Sequence, residues 1–397
     1  MKKRQRELNR LKYITMICFI VLFIEVIYVL YMSFHPKEVS LYFDGINAID
    51  KNSKYYVTVG SNNDNDNYYE KAKLSIYNKN LEKKNDKIYN IGYNSVFFGV
   101  VIDDDSIISV GSYEKEEEEH DDSIRRGLIV KYDFSGNVIF EKDYQLLDNT
   151  KFTNIITVDD GYIVTGQSVY KSTKIGSKEG GAILIKYDKD GELVWSRSFG
   201  NNKNGIFNDL VVFDHYIYVV GLKDNHVGVI SKYDLDGNLI TNYDYHSVDD
   251  DIGFNGIIQV GDSFYCSGSY YDGDEKGLLI KVNLDCEVVN QVIYDTLENV
   301  RYNKLIYDNQ EHIVAIGTLT NSKKGNYHYD GVIGKYDLDL KELSVVSYGE
   351  ERDDYFTDIE YVDGNYLVVG YSSYEDGSYM SKFIRYSDAL KVLGVES

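Results

Sequence analysis

Short apolar segments that end in glycine recur along the chain at a nearly constant spacing. There are seven such segments, of the kind YYVTVG or YLVVG, and their glycines are Gly60, Gly111, Gly166, Gly221, Gly268, Gly317 and Gly370. Successive glycines lie 51, 55, 55, 47, 49 and 53 residues apart. A period of about 50 residues is typical of a protein that is built from repeated β-structure.

Each repeat has the alternation of apolar segments and turns that four strands would give. A first strand begins 14 residues before the glycine, or 15 in the sixth repeat, and a tight turn such as DDGY joins it to the glycine-bearing strand. A third strand follows, as in GAILIKYD from Gly181, and then a fourth, as in GELVWSRSF from Gly191. The pattern therefore predicts four antiparallel strands per repeat over residues 41–395.

The apolar runs within these strands indicate sheets that are covered on both faces, which one isolated four-stranded sheet cannot achieve. Radial packing of the repeats covers both faces and leaves only short exposed edges. The sequence therefore predicts an all-β fold, a seven-bladed β-propeller of four-stranded antiparallel blades. A linear solenoid normally has shorter repeats, and separate β-sandwiches would lack this regular spacing.

Two sets of positions recur early in the first strands. One set is small or short and would suit the crowded axis of a propeller: Ala48, Gly99, Asn154, Asp209, Gly256 and Asp358. The preceding set is polar: Asn47, Thr153, Asn208, Asn255, Asn303 and Thr357. We expect the polar set to cap backbone groups, and the alternative is that it lines the channel.

The stretch KYDLDGNLI, from Lys232 to Ile240, has near-copies in other repeats and contains the D-x-D-G run of many calcium loops. A calcium loop needs several oxygen ligands and a further bidentate carboxylate, which these segments do not supply. An initial Asp or Asn followed by Gly instead favours a turn closed by the side chain. We interpret the motif as a structural turn.

The segment Ser347 to Tyr386 resembles the bacterial secreted β-propeller repeat with the pattern GDDxFxxI…DGGYIVxG…KYDxxGxxxW. The resemblance extends over nearly all of residues 41–395 and implies a propeller of surface or envelope proteins without repeated catalytic residues. This chain departs from the pattern in its single tryptophan, Trp195, and in four turns that lack the glycine: Leu81, Cys286, Leu340 and Leu390.

The N-terminal region predicts a membrane anchor ahead of the repeats. Residues 1–13 are basic, and residues 14–34 form an apolar segment long enough to cross a bilayer as a helix. The positive-inside rule places residues 1–13 in the cytoplasm, so the linker 35–40 and the propeller 41–397 would be extracytoplasmic. Glu25 is the single charge in the span, and it is either a contact to a partner helix or a protonated or snorkelling side chain.

Charge and composition exclude several classes of function. The chain has a net charge of −22, and the part after the basic segment carries −27, which disfavours nucleic acid and favours basic partners or cations. With three cysteines there is no disulfide framework, so Cys266 and Cys286 are expected to be free thiols, and the alternative is one disulfide bond between them. We find no catalytic, cofactor or metal-ligand motif, and therefore predict no enzyme, no cofactor and no dedicated metal site.

The loops between strands two and three, and between successive repeats, vary in length and share one face of a propeller. Binding residues usually lie in loops on a rigid scaffold. We therefore place the candidate binding face there, with the acidic residues Asp249, Asp250, Asp251, Glu350, Glu351, Asp353 and Asp354. The sequence predicts a binding or scaffolding module for a protein or other envelope ligand. The alternatives are a glycan-active hydrolytic enzyme with acidic residues at the channel mouth, and a cation-dependent adhesion module.

Overall fold

The computed structural model describes residues 43–63, 69–115, 124–170, 181–200, 205–224, 226–245, 251–295, 299–321, 328–349, 352–374 and 378–396. The predicted anchor, residues 14–34 with Glu25, lies outside these ranges. Within them we find no helix that is long and apolar enough to cross a membrane. The strands described below all belong to one compact unit, Tyr42–Ser397.

The described residues form an all-β structure of 28 strands. The first half of the chain contains β1 Phe43–Lys51, β2 Tyr55–Asn63, β3 Glu70–Asn78, β4 Lys83–Tyr89, β5 Tyr93–Asp103, β6 Ser106–Lys115, β7 Ile124–Asp133, β8 Val138–Tyr144, β9 Asn149–Val158, β10 Gly161–Val169, β11 Gly181–Asp188, β12 Leu193–Phe199, β13 Ile206–Phe213 and β14 Tyr216–Lys223. The second half contains β15 Val227–Asp234, β16 Leu239–Tyr245, β17 Asp251–Val260, β18 Ser263–Tyr271, β19 Glu275–Val282, β20 Val288–Tyr294, β21 Val300–Tyr307, β22 His312–Asn321, β23 His328–Asp337, β24 Glu342–Tyr348, β25 Asp354–Val362, β26 Asn365–Ser373, β27 Tyr379–Ser387 and β28 Val392–Glu396.

Strands of one sequence repeat pair antiparallel with one another in chain order. Strands β13–β16, β17–β20 and β21–β24 form three four-stranded sheets. The remaining strands form two eight-stranded sheets, in each of which a single parallel bridge joins two repeats, Phe43 to Tyr379 and Arg125 to Asn149. This is a β-propeller-like fold, and it confirms the predicted all-β class and four-stranded antiparallel unit.

The recurring glycine lies opposite a β-bulge in the first strand of its repeat. In the first repeat the register shifts between Ile46 and Ala48, opposite Gly60. A Cβ atom on Gly60 would lie only 1.8 Å from the carbonyl oxygen of Gly45, so no other residue fits. A bulge bends a strand and redirects the extra side chain. The second strand continues beyond the glycine to Asn63, so the predicted strand end at this glycine was wrong.

Aromatic pairs fill the space between the sheets. The aromatic residue at the start of a first strand packs edge-on against the tyrosine of the same repeat's KYD motif, as in Phe152 with Tyr187 and Phe356 with Tyr386, whose ring centroids are 6.3 Å apart in both pairs. Such pairs contribute about 0.5–1.5 kcal/mol beyond the burial of their area. The repeated tyrosine is therefore a core residue.

The KYD turns have the geometry that the sequence predicted. Asp234 accepts the backbone N–H of Asn238 at 2.7 Å, and Gly237 has the left-handed φ of +78°. Leu340 occupies the same turn position with a φ of +60°, and its side chain is buried. The interpretation as a structural turn is confirmed, and the motif's aspartate serves its own turn.

The lysine of the motif connects neighbouring repeats. Lys232 donates to the carbonyl oxygen of Leu284 in the next repeat's turn at 3.2 Å, and Lys281 donates to that of Leu338 at 3.0 Å. Both ammonium groups also lie over tyrosine rings, at 4.2 Å from Tyr216 and 5.5 Å from Tyr265. The recurrence of KYD therefore reflects contacts within and between repeats.

Candidate functional site

Every sheet has two ends, which differ in their connections. At one end, which we call the loop end, first and third strands begin, and the connections between strands two and three and between repeats lie there. The tight turns within each repeat lie at the other end, which we call the turn end. The predicted acidic face belongs to the loop end.

The structure separates the predicted acidic residues into different environments. Asp251 is exposed at the start of β17, and the side chain of Asp353 is 31% exposed and accepts the N–H of Tyr329 at 2.9 Å. Asp354 is buried and accepts the hydroxyl of Ser372, so it does not present its carboxylate to solvent. The other predicted residues, Asp249, Asp250, Glu350 and Glu351, lie outside the described ranges, as does Glu25.

A cavity of about 260 Å³ opens at the loop end where the last repeat meets the first two. Its lining, which we call the tyrosine recess, comprises Gly45, Asn47, Ser61, Glu70, Asn94, Val96, Phe98, Arg125, Tyr371 and Tyr379. Tyr371 and Tyr379 contact edge-to-face with centroids 5.4 Å apart. The recess thus combines aromatic surface with charged and amide groups.

The aromatic surface continues from the recess along its rim. Tyr371 stacks on Tyr355 with ring centroids 4.9 Å apart, and the centroids of Tyr355 and Tyr329 are 5.5 Å apart. Tyr329 is 45% exposed. A second rim pair, Tyr69 and Tyr93, has centroids 4.7 Å apart and is also exposed. The rings of Tyr329, Tyr355, Tyr371 and Tyr379 therefore form a contiguous row that leads from solvent into the cavity.

The polar groups of the recess are held in place by short contacts. Arg125 donates to Glu114 at 2.6 Å, and Asn94 donates to the other carboxylate oxygen of Glu114 at 2.9 Å. Glu70 is an exposed residue of the recess lining, and desolvation raises the pKa of its carboxyl group while Arg125 opposes the rise. Desolvation, with Tyr379 and Glu70 nearby, raises the pKa of Tyr371 to about 12.

A larger cavity of about 580 Å³ runs along the first strands of all seven repeats. The recurring polar set lines it, and all six members donate to the carbonyl oxygen of a bulge-preceding residue, five of them in the next repeat and Thr357 of the last repeat in the first. These contacts are Asn47 to Phe97, Thr153 to Phe207, Asn208 to Phe254, Asn255 to Tyr302, Asn303 to Phe356 and Thr357 to Ile46. Both sequence interpretations therefore hold, because these side chains cap backbone groups while lining the cavity.

Three carboxylates of the cavity connect first strands in the same way. Asp358 accepts the N–H of Ile49 at 2.9 Å, and Asp50 accepts that of Ile102 at 2.6 Å. Asp209 accepts the N–H of Ile257 at 3.1 Å and the ammonium group of Lys304 at 2.9 Å. Since backbone donors already engage these oxygens, the acidic residues at the axis contribute to structure.

Glu360 differs from the other acids because no backbone N–H contact is found for it among the described residues. Its carboxylate pairs with Lys51 at 2.5 Å, towards the turn end of the cavity. Burial raises its pKa to about 7, and burial raises the pKa of Asp358 to about 6. Burial lowers the pKa of Lys304, but the Asp209 and Asp358 carboxylates outweigh that effect and hold it above its usual value.

One group of metal-ligand type appears among the described residues although the sequence shows no metal spacing. Asp308, His312 and Asp388 have ligand atoms within 4.8 Å of one another. The ammonium group of Lys335 lies 2.5 Å from Asp388 and 3.8 Å from Asp308. Lys335 therefore already pairs with both carboxylates, and the group is an ion-pair network that includes Tyr366, whose hydroxyl donates to Asp308 at 3.0 Å.

Sequence reasoning missed the tyrosine recess and Lys304. The tyrosines of the row come from the last two repeats and have no common motif, and the cavity itself depends on the packing of the last repeat against the first two. Lys304 had a detectable signal, since it stands at the small position of the sixth first strand, where its repeat relatives are Ala48, Gly99 or Asp209. Cys266 and Cys286 are buried free thiols, as predicted.

Comparison with known proteins supports the fold class. No protein-family model and no curated protein matches the chain. The chain is similar in structure to a polysaccharide lyase, an ulvan lyase bound to a GlcA(1-4)Rha3S unit, with a TM-score of 0.59, 11% identity, and coverage of 90% of this chain and 97% of that one. It is also similar to Sqt1 from Chaetomium thermophilum, with a TM-score of 0.51, 12% identity, and coverage of 90% and 89%. At these identities the likeness concerns the fold alone.

Proposed function

We propose that this protein is a membrane-anchored extracytoplasmic β-propeller that works as a binding module, and that its ligand engages the tyrosine recess at the loop end. The observation that carries the proposal is the contiguous row of partly exposed tyrosines around a polar cavity. Contiguous exposed apolar surface that is rimmed by polar residues is typical of interaction sites and ligand-binding grooves. Tyrosine is also enriched at binding sites, because one end of the ring is apolar and the other forms hydrogen bonds.

The larger cavity of about 580 Å³, which we call the central cavity, has charged groups that support binding over catalysis. Asp50, Asp209 and Asp358 accept backbone N–H groups, and Lys304 and Lys51 pair with carboxylates. Side chains committed to such contacts suit a rigid scaffold. The loop end then carries the recognition surface on that scaffold.

We further propose that the 28 strands form seven blades closed into a ring. Thr357 of the last repeat donates to the carbonyl oxygen of Ile46 in the first at 2.7 Å, which continues the belt of contacts between successive repeats. Ser381 donates to the carbonyl oxygen of Asp44 at 3.0 Å, and Lys51 pairs with Glu360. Under this proposal these side-chain contacts and the single parallel bridge between Phe43 and Tyr379 close the ring, since β28 completes the last repeat with a strand of its own.

The anchor forms the remaining part of the proposal. Residues 14–34 would span the membrane with the N-terminus in the cytoplasm, in line with the resemblance to envelope propeller repeats. Membranes that contain the full chain should retain it after high-salt and carbonate washes. Release by either wash would contradict an integral anchor.

Site-specific photocrosslinking tests the binding proposal. A photoreactive amino acid is placed at position 329 on the rim of the recess, and at position 243 on the outer strand β16 as a matched exposed tyrosine control. We expect adducts with an envelope component from position 329 in native membranes, and their loss when Tyr371→Ala is added. Equal adducts from both positions, or none from position 329, would contradict a binding site at the recess.

A second candidate, a glycan-active enzyme, rests on one observation in the central cavity. Glu360 has a pKa raised to about 7 and could exchange a proton near neutral pH, as a general acid or base does. Incubation with neutral and uronate-containing polysaccharides, followed by detection of new reducing ends or unsaturated sugars, tests this candidate. Activity that is lost in Glu360→Gln would support it, and an inert wild-type protein would argue against it.

A further inference from the structure

We propose that the ligand of the tyrosine recess is a neutral pyranose glycan. This inference rests on the proposed function, because it specifies the chemical class of ligand for the same site. It goes beyond that function by requiring saccharide recognition through named side chains.

The shape of the recess limits what can enter. Its volume of about 260 Å³ is slightly below the roughly 300–1,000 Å³ that is usual for sites of drug-sized ligands, so it suits one or two sugar rings. The rim rings of Tyr355 and Tyr329 extend the aromatic surface outward from Tyr371. A longer glycan could therefore place one unit in the cavity and contact the rim with the next.

The lining offers groups that suit both the apolar face and the hydroxyl-bearing edge of a sugar ring. A pyranose ring has an apolar face of C–H groups, which packs well on aromatic rings such as Tyr371 and Tyr379. Its hydroxyl groups project around the edge and need both acceptors and donors. Glu70 supplies an acceptor, while Arg125 and Asn94 supply donors, and the contacts of these two residues with Glu114 fix their positions.

Other ligands that use aromatic rings match the recess less well. Nucleic acid would be repelled, because the chain carries a net charge of −22. A uronate would meet the Glu70 carboxylate, and Glu114 at 2.6 Å already balances the positive charge of Arg125, which leaves Arg125 its remaining N–H donors for neutral groups. A polyproline helix offers few hydrogen-bond donors, which would leave Glu70 desolvated without a partner.

Calorimetric titration of the purified full chain in nanodiscs tests the inference. The neutral probes are chitotetraose, maltotetraose and cellotetraose, the anionic probe is trigalacturonate, and the peptide probe is decaproline. We expect at least one neutral tetrasaccharide to bind. Loss of ring contact in Tyr371→Ala should weaken that binding about tenfold or more, and loss of the charged acceptor in Glu70→Gln should weaken it about threefold to tenfold.

The controls separate a local effect from misfolding. Tyr243→Ala removes an exposed tyrosine from a different sheet and should leave saccharide affinity within about twofold. If Tyr371→Ala does not fold, Glu70→Gln and Tyr329→Ala, a change of an exposed rim residue, carry the test. All variants are compared by circular dichroism before titration.

The results also distinguish this inference from the proposed function. Binding of none of the neutral probes, binding of trigalacturonate or decaproline alone, or equal losses in Tyr371→Ala and Tyr243→Ala would overturn the glycan inference. Crosslinks from position 329 that persist in that case would leave the binding proposal standing with another ligand. Absence of those crosslinks would overturn the binding proposal itself.

Discussion

The turn after each third strand and a side chain of the preceding repeat occupy the same space, so their sizes should be coupled. A Cβ atom on Gly237 would lie 3.0 Å from the indole ring of Trp195, and one on Gly191 would lie 2.6 Å from the Phe140 ring. Leu340 instead fills its turn, and the residue of the preceding repeat in the register of Trp195 is the smaller Asn290. In these three repeats a large residue on one side accompanies a smaller one on the other, whereas Gly136 faces the small Asn85.

Substitution of Trp195 by alanine gives a measurable loss. Removal of a fully buried Trp costs about 3–5 kcal/mol, and Trp195 is half-buried, so about 2 kcal/mol is expected from packing. The indole N–H also donates to the carbonyl oxygen of Leu235 at 3.1 Å, which adds about 1 kcal/mol. Arg197 lies 5.3 Å from the ring, for about 0.5 kcal/mol more. We expect Trp195→Ala to lower the free energy of unfolding by about 3.5 kcal/mol.

Gly237→Leu should partly restore the stability that Trp195→Ala removes. Gly237→Leu alone should cost about 2–3 kcal/mol, from the left-handed φ of +78° and from the clash with the indole. In the double variant the leucine can enter the space that the indole leaves, as Leu340 does in its own turn. The double variant should then be about 2 kcal/mol more stable than the sum of the two single losses predicts.

Denaturant unfolding followed by far-ultraviolet circular dichroism measures all three variants. Fluorescence does not serve here, because Trp195 is the one tryptophan of the chain. Gly261→Leu is the matched control for strain, since Gly261 has a φ of +60° and open space around its Cβ position. Strictly additive losses, or a Gly237→Leu cost equal to that of Gly261→Leu, would refute the steric coupling.

Three further predictions concern ring closure, pH and the anchor. Thr357→Val keeps the side-chain shape but removes the hydrogen bond to Ile46, so the free energy of unfolding should fall by about 1 kcal/mol. The matched change Thr153→Val removes the equivalent bond to Phe207 and should cost about the same. No loss in either variant would contradict a stabilising role of these contacts between repeats. Burial raises the pKa of Glu360 from 4.5 to about 7, so its protonation stabilises the fold fully below pH 4.5, and this stabilisation is lost as the pH rises to about 7. Relative to Glu360→Gln, which stays neutral, the wild type should lose about 1–3 kcal/mol across that interval in urea titrations, and parallel pH profiles would contradict the raised pKa. If Glu25 contacts a partner helix, crosslinking and pull-down from native membranes should recover less of that partner with Glu25→Ala, and unchanged recovery would favour a snorkelling side chain.

Local patterns explain why the fold class could be predicted from the sequence. The glycines recur because a bulge brings the first-strand backbone to within 1.8 Å of where a Cβ would lie, as at Gly60, and this requirement repeats wherever the bulge does. The KYD turns recur because Asp234 and its equivalents close their own turns. Residues that are close in sequence or lie on neighbouring strands meet these requirements, so the requirements produce a periodic sequence pattern.

The residues of the candidate site do not follow a periodic sequence pattern. The acidic residues were grouped by their charge and by the loops they belong to, and Asp354 is nonetheless buried against Ser372. Tyr371 and Arg125 are 246 positions apart in the sequence, yet they line one cavity because the last repeat packs beside the first. Charge alone could not predict that aromatic residues would dominate this part of the loop end.

The sequence by itself therefore determined the repeat unit, its four strands, its turns and the polar belt, since each of these depends on residues that alternate or recur at fixed spacing. It also predicts an anchor at residues 14–34 and an extracytoplasmic location. Only the tertiary structure decided which carboxylates are satisfied by backbone donors, that Lys304 pairs with Asp209, and where tyrosines meet in a cavity. The physical reason is that these features depend on contacts between residues up to hundreds of positions apart, which no local periodicity encodes.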